Sequence, residues 1–284
     1  MISESSIVEA KSQLHRLGAR ARKGLGQHFL VDKTVLGKIV SAAELGPRDT
    51  VVEVGPGLGI LTAELLHKAG RVIAVEVDSR LAAALQKNLS AFPKLAVVNA
   101  DILEINPADL TSRQTKSYKV VANLPYYIAA PILRHFLEAS LKPSLMVVMV
   151  QKEVAQSIVA QPGEMSILGI SVQLYGKPTI VDYVPAHCFY PQPKVDSAIV
   201  RIEVYPEPAV PVKDIAGFFE IVKAGFSTPR KQIRNSLALG LQIAPADAVE
   251  LLGKAKIAPQ RRPETLSLEE WAKLQLVLVD KDKK

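Results

Sequence analysis

Apolar residues recur along this chain in two rhythms. Val35, Leu36, Ile39, Val40 and Ala43 share one helical face, so their spacing predicts a helix over 33–45. Thr50–Val54 is instead a short apolar run that ends in a Gly-rich turn, the pattern of a buried strand. The two rhythms then alternate. Helices are expected over 60–68, 79–89 and 131–139, with Ser79 as an N-cap, and strands over 71–77, 95–99, 118–122 and 145–150. Later strands are expected over 166–175, 180–184 and 197–204. Strands alternating with helices imply an α/β fold: a parallel sheet with helices on both faces.

The rhythm breaks at Tyr205-Pro206-Glu207-Pro208-Ala209-Val210-Pro211, where three prolines in six residues can continue neither a strand nor a helix. Beyond it the pattern is helical, over 215–224, 230–239, 245–252 and 267–278. The expected domains are therefore a basic N-terminal segment over 1–30, an α/β domain over 31–207 and a small helical domain over 212–284. Residues 6–20 read as a basic helix with little apolar surface, marginal on its own, so its order without a partner is left open.

Charge adds a partner to this outline. The chain of 284 residues carries a net charge of +7. Residues 1–30 hold five Lys/Arg and two Asp/Glu, a net of +3; residues 31–212 hold 17 of each, a net of 0; residues 213–284 hold 13 and nine, a net of +4. An excess of positive charge at both ends of a neutral middle suits a polyanion. No apolar run reaches the ~18 residues needed to span a bilayer, so no membrane is expected. Met1-Ile2-Ser3-Glu4 opens no secretory signal, which makes the cytoplasm the expected location. The single Cys188 forms no internal disulfide and reads as a small buried hydrophobe, and no Cys/His cluster has metal-ligand spacing.

Candidate chemistry begins at Glu53-Val54-Gly55-Pro56-Gly57-Leu58-Gly59, between a strand and a helix. Gly55 and Gly57 permit a tight turn and close approach of a ligand to backbone, and the following helix offers free N–H groups. Glu76, 21 residues past Gly55, ends the next strand, where a carboxylate can accept both hydroxyls of a ribose. Such a loop serves NAD and S-adenosylmethionine alike. An acid two residues before the first Gly, the early third Gly and Asn99-Ala100-Asp101 favour the latter. Asp101 could bind an adenine amine; it also suits a helix N-cap.

After the strand 118–122 comes Asn123-Leu124-Pro125-Tyr126, similar to the (N/D)-P-P-(Y/F/W) motif of amino-methyltransferases. An exocyclic adenine amine is a weak nucleophile because its lone pair is delocalised into the ring. The Asn123 amide oxygen and the Leu124 carbonyl can accept its hydrogens and aim that lone pair. Tyr126 offers a face for stacking, worth ~1–3 kcal/mol per base. Tyr127 beside it reads as packing.

Taken in order, Lys23-Gly24-Leu25-Gly26-Gln27-His28-Phe29-Leu30, the Gly loop, Val75-Glu76, Asn99-Ala100-Asp101, the Asn-Leu-Pro-Tyr motif, Phe189-Tyr190-Pro191-Gln192-Pro193-Lys194-Val195-Asp196-Ser197 and Phe226-Ser227-Thr228-Pro229-Arg230-Lys231-Gln232-Ile233-Arg234-Asn235-Ser236-Leu237 resemble the rRNA adenine dimethyltransferase family, in its bacterial small-subunit branch. The resemblance covers roughly residues 20–270. It implies a Rossmann-like methyltransferase sheet, S-adenosylmethionine as donor, no metal, and dimethylation of two adjacent adenines in the 3′-terminal hairpin loop of 16S rRNA within the immature 30S subunit; a monomer is expected because nothing in the sequence demands a dimer. It also implies that His28 and Leu30 close over the donor, that Gly55, Gly57, Glu76, Asp101 and Asn123 complete its site, and that Phe189 stacks on the target base opposite Tyr126. The family usually has Asn where this chain has His28. Arg22, Lys23, Arg230, Lys231 and Arg234 would grip the RNA backbone, and Glu53 reads as structural. A 23S rRNA methyltransferase of the antibiotic-resistance type, a largely non-catalytic assembly factor and an NAD-binding dehydrogenase are the competing readings.

Overall fold

A computed structural model of the protein describes residues 4–16, 27–111 and 117–281. Its elements begin with α1 (Glu4–Arg16), β1 (Phe29–Leu30), α2 (Lys33–Ala42), β2 (Thr50–Val54), α3 (Ile60–Lys68), β3 (Arg71–Glu76), α4 (Ser79–Asn88) and β4 (Leu95–Asn99). They continue with α5 (Pro107–Leu110), β5 (Lys119–Asn123), α6 (Ala129–Leu137), β6 (Leu145–Gln151), α7 (Lys152–Val159) and α8 (Ile167–Tyr175). Next come β7 (Gly176–Val184), β8 (Phe189–Tyr190), β9 (Ser197–Val204), α9 (Ile215–Gly225), α10 (Ile233–Gly240), α11 (Pro245–Lys254) and α12 (Leu268–Lys281).

Seven strands form one sheet in the order β4-β3-β2-β5-β6-β9-β7. The pairs β4–β3, β3–β2, β2–β5 and β5–β6 are parallel, as the alternation of strands and helices implies. The expectation of a wholly parallel sheet fails at β9, which runs antiparallel to β6 from Leu145↔Glu203 to Gln151↔Ser197. The strand order reverses at β2: β3 and β4 lie to one side, β5 and β6 to the other. Ligands of open α/β sheets bind in the crevice beyond the carboxyl ends of the strands at such a switch point. The Gly loop follows β2 and Asn123 ends β5, so the two candidate motifs emerge side by side there.

A second, two-stranded sheet pairs β1 with β8, Phe29↔Tyr190 and Leu30↔Phe189. It joins the segment before α2 to the Phe189–Ser197 motif, two pieces far apart in sequence. α1 is anchored rather than marginal: Ala10 (1% exposed) and Leu14 (5%), one helical turn apart, are buried. Leu14 clusters with Phe29 and Leu81, and Leu58 and Tyr190 pack against them. Lys11 adds a cation–π contact, its Nζ 5.3 Å from the centre of the Tyr190 ring.

Two sequence expectations are corrected locally. Residues 167–175 are helix α8, not a strand. The run is apolar on several faces, so periodicity does not separate the two forms, and Ser166 decides it by capping, its Oγ accepting from Gly169 N at 3.0 Å. The N-cap of α4 is Asp78 rather than Ser79, with Oδ1 accepting from Arg80 N at 3.0 Å.

The chain divides into two compact units, one of Met1–Ala155 with Lys177–Val204 and one of Gln156–Gly176 with Tyr205–Lys284. Gln156–Gly176, expected within the α/β domain, thus belongs with the C-terminal helices. Tyr205 N and Ala209 N, in the proline-rich linker, donate to the carbonyls of Tyr175 and Leu174, both at 2.8 Å. Trp271 is fully buried in the second unit and stacks on Phe226.

Candidate active site

Three segments line a cleft at the carboxyl ends of β2, β3 and β5: the Gly loop, Glu76–Val77, and Asn123–Ile128. His28 and Leu30 of the β1 segment line it too, as does Asp101 after β4. Gly55, Gly57 and Gly59 all adopt left-handed backbone, with φ of 67°, 58° and 79°. At Gly57 the demand is doubled, because a Cβ there would stand 2.8 Å from a Phe29 ring carbon.

Glu76 holds this loop in shape. Its Oε2 accepts from Gly57 N at 3.0 Å and its Oε1 from Asp78 N at 2.9 Å. Burial (4% exposed) raises its pKa, against the pull of those backbone N–H groups. Each carboxylate oxygen keeps a second lone pair for a ligand hydroxyl. Asp101 is the N-cap the sequence allows. Its Oδ1 caps the turn Ile102–Glu104, accepting from Leu103 N at 2.9 Å, and the residue still lines the cleft.

Glu53, read as structural, also faces the cleft. It lies in the cleft wall, 1% exposed, and its Oε2 has no hydrogen-bond partner among the described residues. Burial pushes its pKa up to about 8; the Thr62 hydroxyl draws it down and the Glu76 carboxylate pushes it further up. The Thr62 hydroxyl itself falls outside hydrogen-bonding geometry with it.

At the end of β5, Asn123 Nδ2 donates to the carbonyl of His28 at 3.0 Å. A carbonyl can only accept, so this contact fixes which end of the amide is nitrogen and turns Oδ1 the other way. Among the described residues nothing donates to Asn123 Oδ1 or to the Leu124 carbonyl; Leu124 N is tied to Met149 O at 3.1 Å. Two acceptors with no donor among the described residues thus lie at adjacent positions at the end of β5, beside the Gly loop. Tyr126 is locked as well. Its hydroxyl shares a 2.6 Å hydrogen bond with Ser197 Oγ, and one ring face carries the His28 imidazole, with centroids 5.5 Å apart and planes at 22°. His28 Nδ1 donates in turn to Pro191 O at 2.7 Å.

These residues fit a nucleoside-type methyl donor: a glycine cradle that a Cβ would fill, a buried carboxylate with lone pairs to spare, and an orphaned buried oxygen on Glu53. The ribosomal RNA adenine dimethylase family model matches residues 18–279. The chain belongs to the ribosomal RNA adenine dimethylase family. It is 50% identical over 276 residues to a ribosomal RNA small subunit methyltransferase A of Dehalococcoides mccartyi, covering 97% of this chain and 94% of that one. It is 42% identical to the protein of the same name from Pelotomaculum thermopropionicum, covering 96% and 97%. Among solved structures, the 23S rRNA methyltransferase ErmE superposes with a TM-score of 0.69 at 31% identity, over 88% of this chain and 99% of ErmE. A dimethyladenosine transferase from Plasmodium falciparum superposes with a TM-score of 0.74 at 25% identity, over 90% and 98%.

As an rRNA adenine dimethylase, the protein is a methyltransferase with a Rossmann-like sheet, and S-adenosylmethionine is its donor. The structure brings together His28, Leu30, Gly55, Gly57, Glu76, Asp101, Asn123, Leu124 and Tyr126 in one cleft. It does not bring Phe189 there. Phe189 is 2% exposed and belongs to the core cluster that holds Leu30, Val184, Cys188 and Ile199. Tyr127, read as packing, is 54% exposed and lines the cleft. A pair of adjacent tyrosines gives no sign in sequence of which one turns outward.

The basic candidates divide. Arg22 and Lys23 lie outside the described residues. Arg230 and Lys231 are exposed in the turn before α10. Arg234 is half-buried, and its Nε is buried with no hydrogen-bond partner among the described residues. Outside this set, Arg261 is tied to Glu270 and Thr265. No group of three His, Cys, Asp or Glu among the described residues could hold a metal, and none of their helices is long and apolar enough to cross a membrane.

Proposed function

We propose that the protein dimethylates two adjacent adenines in the 3′-terminal hairpin loop of 16S rRNA. It acts in the cytoplasm as a monomer on the immature 30S subunit. The observation that carries this reading is the pair of acceptors, Asn123 Oδ1 and the Leu124 carbonyl, at the switch point of the sheet. An exocyclic amine has two hydrogens, and two acceptors set in this way select it over a ring nitrogen or a hydroxyl. The small-subunit relatives at 50% and 42% identity favour 16S over 23S rRNA, against 31% for the 23S enzyme.

S-adenosylmethionine, when bound, supplies a methyl group made electrophilic by its sulfonium. The chain's own residues supply position. Glu76 takes the ribose hydroxyls and Asp101 the adenine amine of the donor; Gly55 and Gly57 let it approach the backbone, and His28 and Leu30 close over it. Glu53 Oε2 offers an acceptor to the ammonium at the methionine end. Asn123 and Leu124 orient the target amine, and Tyr126 packs on its base, which must leave its stack to enter. The methylated nitrogen is strongly acidic and sheds its proton without a dedicated side-chain base. Arg22, Lys23, Arg230, Lys231 and Arg234 grip the RNA backbone.

The test is incubation with labelled donor and, separately, small and large subunits from cells lacking these modifications. Label in the small-subunit rRNA supports the reading; label confined to 23S rRNA contradicts it.

A further inference from the structure

We infer that Tyr127 is a stacking platform for the nucleotide next to the target adenine, making it a positioning residue that sets how the RNA enters. The inference rests on the reading above, that the cleft takes an adenine from RNA. Tyr126, Tyr127 and Ile128 form a single 3-10 turn, in which successive side chains leave the axis about 120° apart. Adjacent tyrosines therefore cannot serve the same base. Tyr126 is held by Ser197 and covered on one face by His28, as a wall for the target base requires. Tyr127 is 54% exposed, lines the same cleft and has no hydrogen bond or ring contact among the described residues. A large aromatic ring left bare at the mouth of a cleft is a surface for a ligand with a flat apolar face. The nearest such face, once one base has been drawn inward, is that of its neighbour on the strand. Every base offers that face, so Tyr127 would hold the strand without reading its sequence.

The experiment uses small subunits assembled on 16S rRNA whose 3′ segment is a ligated synthetic RNA. One version is natural, and two others replace either neighbour of the target adenine by an abasic nucleotide. Tyr127→Ala is expected to raise KM for the natural subunit roughly ten-fold or more. Donor affinity by calorimetry, which also reports folding, and kcat should stay within about two-fold of wild type. Tyr127→Phe and Tyr127→Trp should restore KM. For one abasic substrate the wild-type KM should rise by the same factor, and Tyr127→Ala should add nothing further. Unchanged KM in Tyr127→Ala, or penalties that multiply for both abasic substrates, would overturn the inference. A wild-type protein that leaves the natural target unmethylated defeats the parent reading, and this one with it.

Discussion

Asn123 is oriented by the backbone of His28, not by its side chain: Asn123 Nδ2 reaches the His28 carbonyl at 3.0 Å. The contact survives any residue at position 28 that keeps the chain path, which is set by pairing of Phe29 with Tyr190. His28→Ala should therefore leave Asn123 oriented while losing the Tyr126 stack, the bond to Pro191 and the side chain's cover over the donor, weakening donor binding but lowering kcat less than about ten-fold. Asn123→Ala removes an acceptor aimed at the reacting amine and should lower kcat by about 10²-fold or more. Single-turnover methylation rates compare the two; equal damage would contradict this division of roles.

Gly57→Ala meets two obstacles, a φ of 58° and a Phe29 ring carbon 2.8 Å from the new Cβ. Relief requires Phe29 or the loop to move, and Gly57 N would then leave Glu76 Oε2. Donor affinity should fall at least ten-fold by titration calorimetry, with the thermal unfolding of the second unit unchanged. Near-normal donor affinity would show that the loop adapts freely.

Glu53 makes stability depend on pH. Its carboxyl has a pKa of about 8 when folded, against an ordinary value of 4.5. Between these values the native protein keeps a proton that the unfolded chain gives up, so this contribution is complete below about pH 4.5 and is lost as pH rises through about 8. Glu53→Gln cannot lose a proton. Its stability relative to wild type should grow from pH 5 to 8, by a few kcal/mol at most, and level off above. A difference independent of pH, measured by denaturant unfolding, would show that Glu53 is ionised throughout.

Leu14 ties α1 to the rim of the cleft through Phe29, Leu58 and Leu81. A helix of 13 residues is marginal alone. Leu14→Ala removes one of two buried anchors, and buried Leu→Ala changes cost about 2–5 kcal/mol. The helix should detach while the sheet persists: hydrogen exchange should speed up in 4–16 and stay slow in β2 and β5. Uniform destabilisation of both would contradict a separable α1.

Much of this was legible in the sequence. The places of Gly55, Gly57, Glu76, Asp101 and Asn123 in the cleft were legible because these residues sit at strand ends, where sequence position nearly determines spatial position. Side-chain orientation is different. Phe189 and Tyr127 are aromatic residues beside motifs, and only the pairing of β8 with β1 and the pitch of a 3-10 turn decide that one faces the core and the other the cleft. Glu53 shows the same limit: its burial was foreseeable in a central strand, its lack of a partner was not. Helix α8 was misread because an apolar run carries no periodicity to distinguish helix from strand.

The most direct measurement is nucleoside analysis of 16S rRNA after the wild-type protein has acted on unmethylated small subunits, with mass spectrometry of the nuclease fragments. The prediction is two adjacent N6,N6-dimethyladenosines in the 3′-terminal hairpin loop, both absent with Asn123→Ala. Methyl groups on another nucleotide or another atom, or full modification by Asn123→Ala, would contradict the claim that Asn123 and Leu124 aim an adenine amine.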